Sequence, residues 1–287
     1  MTKLPMTGGH ALVLGGGGLA GIAWMTGLLT GLAEAGDDLT GAELIIGTSA
    51  GAHVAAQLGS GLPLADLFAL QADPSRQSAE KIAELDISKI ATQIGPYAGT
   101  AAETRRRIGV YALAAETVPE VVRRKVIERR LPAHHWPARC IRLTAVDAAT
   151  GELRVFDSAS GASLVDAVAA SSALPGLWPP VTIGPSRYID GGIRSVDNAD
   201  LAAGFPRISV LSPTGFNSLI PSSRPLREAV AKLRADGSAV TVLVPDAASA
   251  VAFGTNPLDP ATRTPAARAG LAQGRAGLAA NVATGRR

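Results

Sequence analysis

Cysteine is almost absent from this chain. Of 287 residues only Cys140 is a cysteine, which excludes an intramolecular disulfide and a cysteine-based metal cluster. Cys140 sits in an apolar, strand-like run and is expected in the core. Aromatic residues make up 4% of the sequence and the net charge is +3. With no stretch that interleaves aromatic and basic residues, this balance argues against a nucleic-acid partner. Charged residues account for only 18% against 47% hydrophobic, the composition of a packed globular chain and not of a disordered one. No internal repeat or long linker divides the sequence, so a single domain over residues 1–287 is expected.

Charge is missing altogether from residues 11 to 33. The length would suit a membrane span or a signal peptide, but seven of these residues are glycine, four of them consecutive from Gly15 to Gly18. Glycine is a poor helix former, so the segment divides into a short strand, Ala11 to Leu14, and a separate helix, Leu19 to Ala35. Only Lys3 could serve as the charged start of a signal peptide, and a soluble start is expected. The helix is apolar nearly all round, as buried helices are, and Gly36 ends it.

A second strand, Leu44 to Ile46, runs into Gly47-Thr48-Ser49-Ala50-Gly51. Small helix formers follow to about Leu58. Gly-x-Ser-x-Gly between a buried strand and a helix describes a sharp turn with Ser49 at its apex. The turn lifts the hydroxyl out of the sheet and sets a helix N-terminus behind it, where negative charge is stabilised. Strand, loop, helix, strand, helix, with glycine at the crossings, points to an α/β fold: a mostly parallel central sheet sandwiched by helices in three layers.

Residues 62 to 136 read as a helical cap insertion over the sheet, punctuated by prolines and carrying basic clusters at Arg105 to Arg107, Arg123 to Lys125 and Arg129-Arg130. Such a cap could shape a substrate site or rest on anionic headgroups; a solvated helix face accounts for the same charges. Arg139 to Asp147 and Glu152 to Phe156 form a hairpin-like pair, Ser163 caps a helix to Ser172, and Tyr188-Ile189 is a short strand leading into Asp190-Gly191-Gly192. Ile208 to Leu211 and Val240 to Val244 are further strands. Residues 260 to 287, rich in alanine, glycine and arginine, form a C-terminal helical tail with a frayed end.

A serine hydroxyl needs a base to become a nucleophile. None of the four histidines has a neighbourhood that marks it as that base. His10 precedes the first strand, His53 lies one turn past Ser49 and points away from the apex, and His134 and His135 lie at the end of the cap. Among carboxylates Asp190 stands out, closing a strand before two glycines. Asp147, Asp157 and Asp166 have sufficient structural roles in turns or on a helix. The side-chain-free run Gly15 to Gly18 offers backbone amides to a substrate oxygen. Gly16-x-Gly18-x-x-Gly21 is also formally a dinucleotide fingerprint, but the acidic residue that reading needs at the end of the second strand is absent, and Asp37 and Asp38 come too early.

Taken together, Gly16-Gly17-Gly18-Leu19-Ala20-Gly21, Gly47-Thr48-Ser49-Ala50-Gly51 and Asp190-Gly191-Gly192, in that order, resemble the patatin-like phospholipase family. Ala170 to Pro175, Trp178-Pro179-Pro180 and Arg194 to Ala199 extend the resemblance, which spans about residues 11 to 203. It implies a serine–aspartate dyad without histidine: Ser49 as nucleophile, Asp190 as the group that takes and returns its proton, and the amides of Gly16, Gly17, Gly18 and Ala50 as the oxyanion hole. Gly21, Gly47, Gly51, Gly191 and Gly192 complete the motifs. The implied activity is hydrolysis of lipid carboxylic esters through an acyl-enzyme, with no cofactor or metal. The implied setting is cytoplasmic, with peripheral membrane contact as a candidate interaction. Two positions depart from the pattern. Ala20 stands where many members carry arginine or lysine, and Gly15 where an acidic residue or serine is common. The alternative is a lipid or acyl-chain binding protein that keeps the fold with weak turnover.

Overall fold

The computed structural model describes residues 9–77, 100–216 and 224–281. Eight strands form one mixed sheet: β1 (His10–Leu14), β2 (Leu44–Thr48), β3 (Cys140–Asp147), β4 (Leu153–Phe156), β5 (Val181–Ile183), β6 (Ser186–Asp190), β7 (Arg207–Leu211) and β8 (Ala239–Leu243). The order is β5-β6-β3-β2-β1-β7-β8, with β4 paired to β3 off this path. The five adjacent strands from β3 to β8 are parallel, and β4, β5 and β6 add antiparallel pairings.

Alternate residues of the central strands face opposite layers, as the pleat requires. Leu12, Leu14 and Ile45 join one core with α1 (Gly18–Glu34), α2 (Ala50–Leu58) and α6 (Leu164–Ser171). Ala11, Val13, Leu44 and Ile46 join a second core with α7 (Leu226–Ala235), through Leu226, Val230 and Leu233. The fold is thus helix, sheet, helix, as the strand and helix alternation predicts.

Helix α1 is buried along almost its whole length. Its C-terminus closes as expected, with Gly36 at a φ of 90° and the Asp37 amide donating to the Leu32 carbonyl at 2.8 Å. Across it lies α9 (Arg263–Arg275), and the crossing is made of small residues. A side-chain carbon on Gly27 or Gly31 would collide with the α9 backbone, and one on Gly270 or Gly274 with that of α1. The C-terminal tail therefore includes a helix built into the core, followed by α10 (Leu278–Asn281); the frayed end expected beyond it lies outside the described residues.

The expectation of one cap over residues 62 to 136 is corrected by where its described helices sit. Helix α3 (Leu64–Ala72) packs beside α1 and α9. Helices α4 (Ala101–Ala114) and α5 (Glu120–Arg130) lie at the other side, α4 against Ala148 and Ile189, α5 against α6. The division follows from which apolar faces are left open: α3 closes the α1 layer, and α4 covers the end of the antiparallel strands. Residues 78–99 of that stretch lie outside the described residues.

Other differences are local. His10 is the first residue of β1, not a lead-in to it. Cys140 is exposed, because it is the first residue of β3 and the strand becomes continuously buried only from Leu143. Three further elements, α7, α8 (Ala247–Phe253) and β5, add to those the sequence pattern predicts. No described helix is long and apolar enough to cross a membrane.

Candidate active site

Strand register brings Ser49 and Asp190 together. Strand β3 pairs with β2 and β6 along one edge and with β4 along the other, since Thr144 faces both Thr48 and Val155, and Ala145 faces both Arg154 and Asp190. Strands β2 and β6 therefore meet end to end: Thr48 lies opposite Thr144, and Asp190 opposite the next residue, Ala145. The chain leaving β2 at Ser49 arrives beside the carboxyl that ends β6.

At that point the Ser49 hydroxyl donates to Asp190 Oδ2 at 2.8 Å. Ser49 has φ 53° and ψ −111°, a backbone conformation that costs a non-glycine residue about 1–3 kcal/mol and persists only where surroundings enforce it. The surroundings do. Gly51 packs so closely on the Leu14 carbonyl that no side-chain carbon fits, and its amide donates to the Gly15 carbonyl at 3.0 Å. Gly47 likewise lies against Gly51 and Ala52 with no room for a side chain. The Ser49 amide donates to the Ser171 hydroxyl at 2.9 Å.

Asp190 is fixed from its other oxygen. Oδ1 accepts the Gly192 amide at 2.7 Å, and the Asp190 amide donates to the Ala173 carbonyl at 3.0 Å. Gly191 packs on Thr144 without space for a side chain. Burial pushes the Asp190 carboxyl up to about 6, against the opposing pull of the Gly192 amide and the Ser49 hydroxyl. It is thus ionised at neutral pH yet far more basic than an exposed aspartate.

Beneath the pair runs a buried polar network that sequence alone does not reveal. The Asn198 side-chain amide donates toward the Thr48 hydroxyl at 3.1 Å, the Thr144 hydroxyl at 3.2 Å and the Gly191 and Ser195 carbonyls at 3.3 and 2.6 Å. Arg194 grips Asn198 Oδ1 at 2.6 Å and both Asp200 oxygens at 3.0 and 2.6 Å. Asn198 has a left-handed backbone, φ 49° and ψ 38°, which asparagine tolerates better than most residues. The signal that could have pointed to it was the run Arg194 to Ala199; Ser171 likewise lies within Ala170 to Pro175.

The glycine loop passes beside Ser49. Its four amides are not equivalent. Gly15 donates to the Leu211 carbonyl and Gly16 to the Val196 carbonyl, each at 2.9 Å. This corrects the expectation for Gly16, whose N–H is already engaged; the residue still lies 3.6 Å, measured from the position a side-chain carbon would take, from Ser49 Cβ. The amides of Gly17, Gly18 and Ala50 have no acceptor among the described residues. Gly18 has φ 65° and opens α1, with the Pro257 carbonyl packed against it. Gly17 and Gly21 face Pro213. The N-termini of α1 and α2 thus converge at the serine, a favourable place for developing negative charge.

The histidines stay out of this chemistry. His53 is buried with Nδ1 3.2 Å from the Ser49 carbonyl. A carbonyl only accepts, so Nδ1 carries a proton, and burial lowers the ring's pKa well below the ordinary value, which favours the neutral form. His10 pairs with the Ser209 hydroxyl at 3.0 Å, and His134 with the Glu128 carbonyl at 3.0 Å. Asp147 and Asp157 accept turn amides, and Asp166 binds Arg124 at 2.7 Å and the Ser163 cap. The end of β2 holds no acid to receive a ribose, so the dinucleotide fingerprint lacks its partner. No cluster of three or more His, Cys, Asp or Glu placed to hold a metal occurs among the described residues. Ala20 is fully buried, with its amide donating to the Pro257 carbonyl at 3.0 Å.

Three solved structures are similar to the chain in part. The chain is similar to VipD from Legionella pneumophila, at 14% identity and a TM-score of 0.45, covering 93% of this chain and 66% of that one. It is also similar to the type III effector protein ExoU, at 18% identity and a TM-score of 0.40, covering 92% of this chain and 52% of that one. ExoU in its complex with SpcU, from Pseudomonas aeruginosa, gives 18% identity and a TM-score of 0.37 over the same shares of the two chains. The chain therefore spans just under two-thirds of the VipD chain and about half of ExoU. No curated protein matches the sequence. The family model described as patatin-like phospholipase matches residues 12–203, about two-thirds of the chain and all three motif blocks, so the protein belongs to the patatin-like phospholipase family.

Proposed function

We propose that the protein is a lipid acyl hydrolase, a serine esterase that cleaves carboxylic ester bonds through a Ser49–Asp190 dyad. The observation that carries this reading is the 2.8 Å hydrogen bond from the Ser49 hydroxyl, on a strained turn, to a buried carboxylate. As Ser49 Oγ attacks the ester carbonyl, its proton passes to Asp190 Oδ2. The carbonyl oxygen becomes an oxyanion, and the unengaged amides of Gly17, Gly18 and Ala50 stabilise it. Asp190 then gives the proton to the departing alcohol, leaving an acyl group on Ser49. Water attacks the acyl-enzyme, losing its proton to Asp190, and Asp190 returns that proton to Ser49 Oγ as the acid departs, so both groups are restored. Each step uses a base whose pKa of about 6 balances ionisation at neutral pH with affinity for a proton.

A second reading, a lipid or acyl-chain binding protein with weak turnover, draws on Ala20. The resemblance leads one to expect a cation there, and this chain has a buried methyl group. The two readings separate on hydrolysis of a short p-nitrophenyl ester and of a phospholipid, measured for wild type, Ser49→Ala and Asp190→Asn. Each variant should lose about a thousandfold or more in turnover. Equal turnover in Ser49→Ala sinks the dyad. A wild-type protein that neither turns over nor labels with a fluorophosphonate favours the binding protein.

A further inference from the structure

Seven large hydrophobic side chains are exposed among the described residues, and five lie between residues 110 and 122: Val110, Leu113, Val118, Val121 and Val122, from 42% to 61% exposed. They are not scattered. On α4, Arg106, Val110 and Leu113 follow at intervals of four and three and share the exposed face. On α5, Val121, Val122, Lys125 and Arg129 share the exposed face in the same way. The two helices meet at the turn that carries Val118. The result is a helix–turn–helix corner with exposed apolar side chains at and near the turn and exposed cations further along each helix.

Charge on this element is asymmetric in its use. Residues 100–130 hold eight arginines and lysines against four glutamates. Three of the glutamates are engaged within the fold: Glu103 in the capping box with Thr100, Glu120 on the Thr182 amide at 2.7 Å, and Glu128 with Arg124 at 3.4 Å. Glu116, at the corner itself, is exposed and opposes the trend. Some of the cations expected to act as clusters are also occupied, since Arg105 donates to the Gly151 carbonyl and Arg123 is buried with its guanidinium 3.8 Å from the Trp178 ring centre. Arg106, Lys125 and Arg129 are the ones that face solvent beside the valines.

The corner is tied to the walls of the Ser49–Asp190 site. On the inner face of α4, Ile108 and Ala112 pack with Ile189 and Ile193, which bracket Asp190 in sequence. The Tyr111 hydroxyl presses against Gly176, and Arg123 stacks on Trp178 in the same loop. The inner side of the corner therefore packs on the strand and loops that flank Asp190.

We infer that the α4–α5 corner docks on an anionic lipid bilayer, with Val110, Leu113, Val118, Val121 and Val122 entering the interface while Arg106, Lys125 and Arg129 meet the headgroups. Exposed apolar side chains flanked by exposed cations match the layered chemistry of an anionic bilayer, with an apolar interior beneath charged headgroups. The inference rests on the acyl-hydrolase reading for its purpose, since it brings the dyad to its substrate, but binding is measurable without turnover.

The test uses full-length Ser49→Ala, sedimented with vesicles of phosphatidylcholine alone or of phosphatidylcholine with phosphatidylglycerol. Binding should require the anionic lipid and weaken with salt. Val121→Asp with Val122→Asp should reduce it about tenfold or more, and Lys125→Glu and Arg129→Glu about fivefold each, with circular dichroism unchanged. The inference is overturned if Ser49→Ala binds neither vesicle, if the valine variants bind like their parent, or if the valines instead hold a dimer that the aspartates dissociate in sedimentation velocity. Wild-type hydrolysis of a soluble short-chain ester reports separately on the dyad, so a protein that docks without hydrolysing counts against the enzyme reading and not against this one.

Discussion

The Ser171 hydroxyl accepts the backbone amide of Ser49 at 2.9 Å. This bond crosses from the end of α6 to the apex of the turn after β2. It holds the serine in its positive-φ backbone state and takes its N–H out of use, so the amide that can serve an oxyanion on this side is that of Ala50.

Replacing Ser171 by alanine leaves the Ser49 amide, in a half-buried turn, without its acceptor, at a cost of about 1 kcal/mol. The proposed function makes the expected effect kinetic as well as structural. The turn loosens, kcat for a soluble ester falls about tenfold, and KM changes little. Steady-state kinetics beside a thermal melt check this; a lower melting temperature with unaltered kcat would leave Ser171 as a packing residue only.

Asp190 must be ionised to accept a proton, and burial raises its pKa to about 6. The kcat/KM of the wild type should therefore fall about tenfold per pH unit below pH 6 and level off above it. An acid limb placed instead near 4, the ordinary aspartate value, would mean that this carboxyl does not act as the base.

Asp197 offers a test of stability. It is buried beside Gly15, with Oδ1 lacking a partner among the described residues. Burial pushes it up to about 7, opposed by Ser212. The folded state thus keeps a proton that the unfolded chain releases near pH 4. This contribution to stability is complete below about pH 4 and is lost as pH rises through 7, by up to a few kcal/mol. Asp190 acts in the same direction in any variant that retains it. Denaturant unfolding at pH 5.5 and 8 should show wild type losing clearly more stability than Asp197→Asn; equal losses would remove Asp197 as the cause.

Much of this architecture is legible in the sequence because its determinants are local. Gly47 and Gly51 flank a serine after a buried strand, and the structure finds all three in the tight turn they predict. Gly15 to Gly18 break an uncharged stretch into β1 and α1 for the plain reason that glycine disfavours helix. What the sequence conceals depends on partners remote along the chain. Gly16 reads as an available donor until Val196, 180 residues on, takes its amide. Asn198 is one polar residue among many until registry brings Thr48, Thr144 and Gly191 around it. Cys140 looks internal because its neighbours are apolar, whereas strand ends emerge from the core. Helix α7 is not among the predicted elements, although Leu226, Val230 and Leu233 recur at helical spacing.

The crossing of α1 and α9 has a bearing on how the serine site is built. Glycine meets backbone on both helices, so neither can tilt or slide without collision. The loop proposed to cradle the oxyanion is the leading end of α1, and the Pro257 carbonyl, just ahead of α9, holds the Ala20 amide in its first turn. Residues beyond 203, where the family motifs have ended, thus act as a vice on the loop at the opposite end of the chain. The proposed chemistry belongs to the shared blocks, while their alignment depends on a segment those blocks do not include.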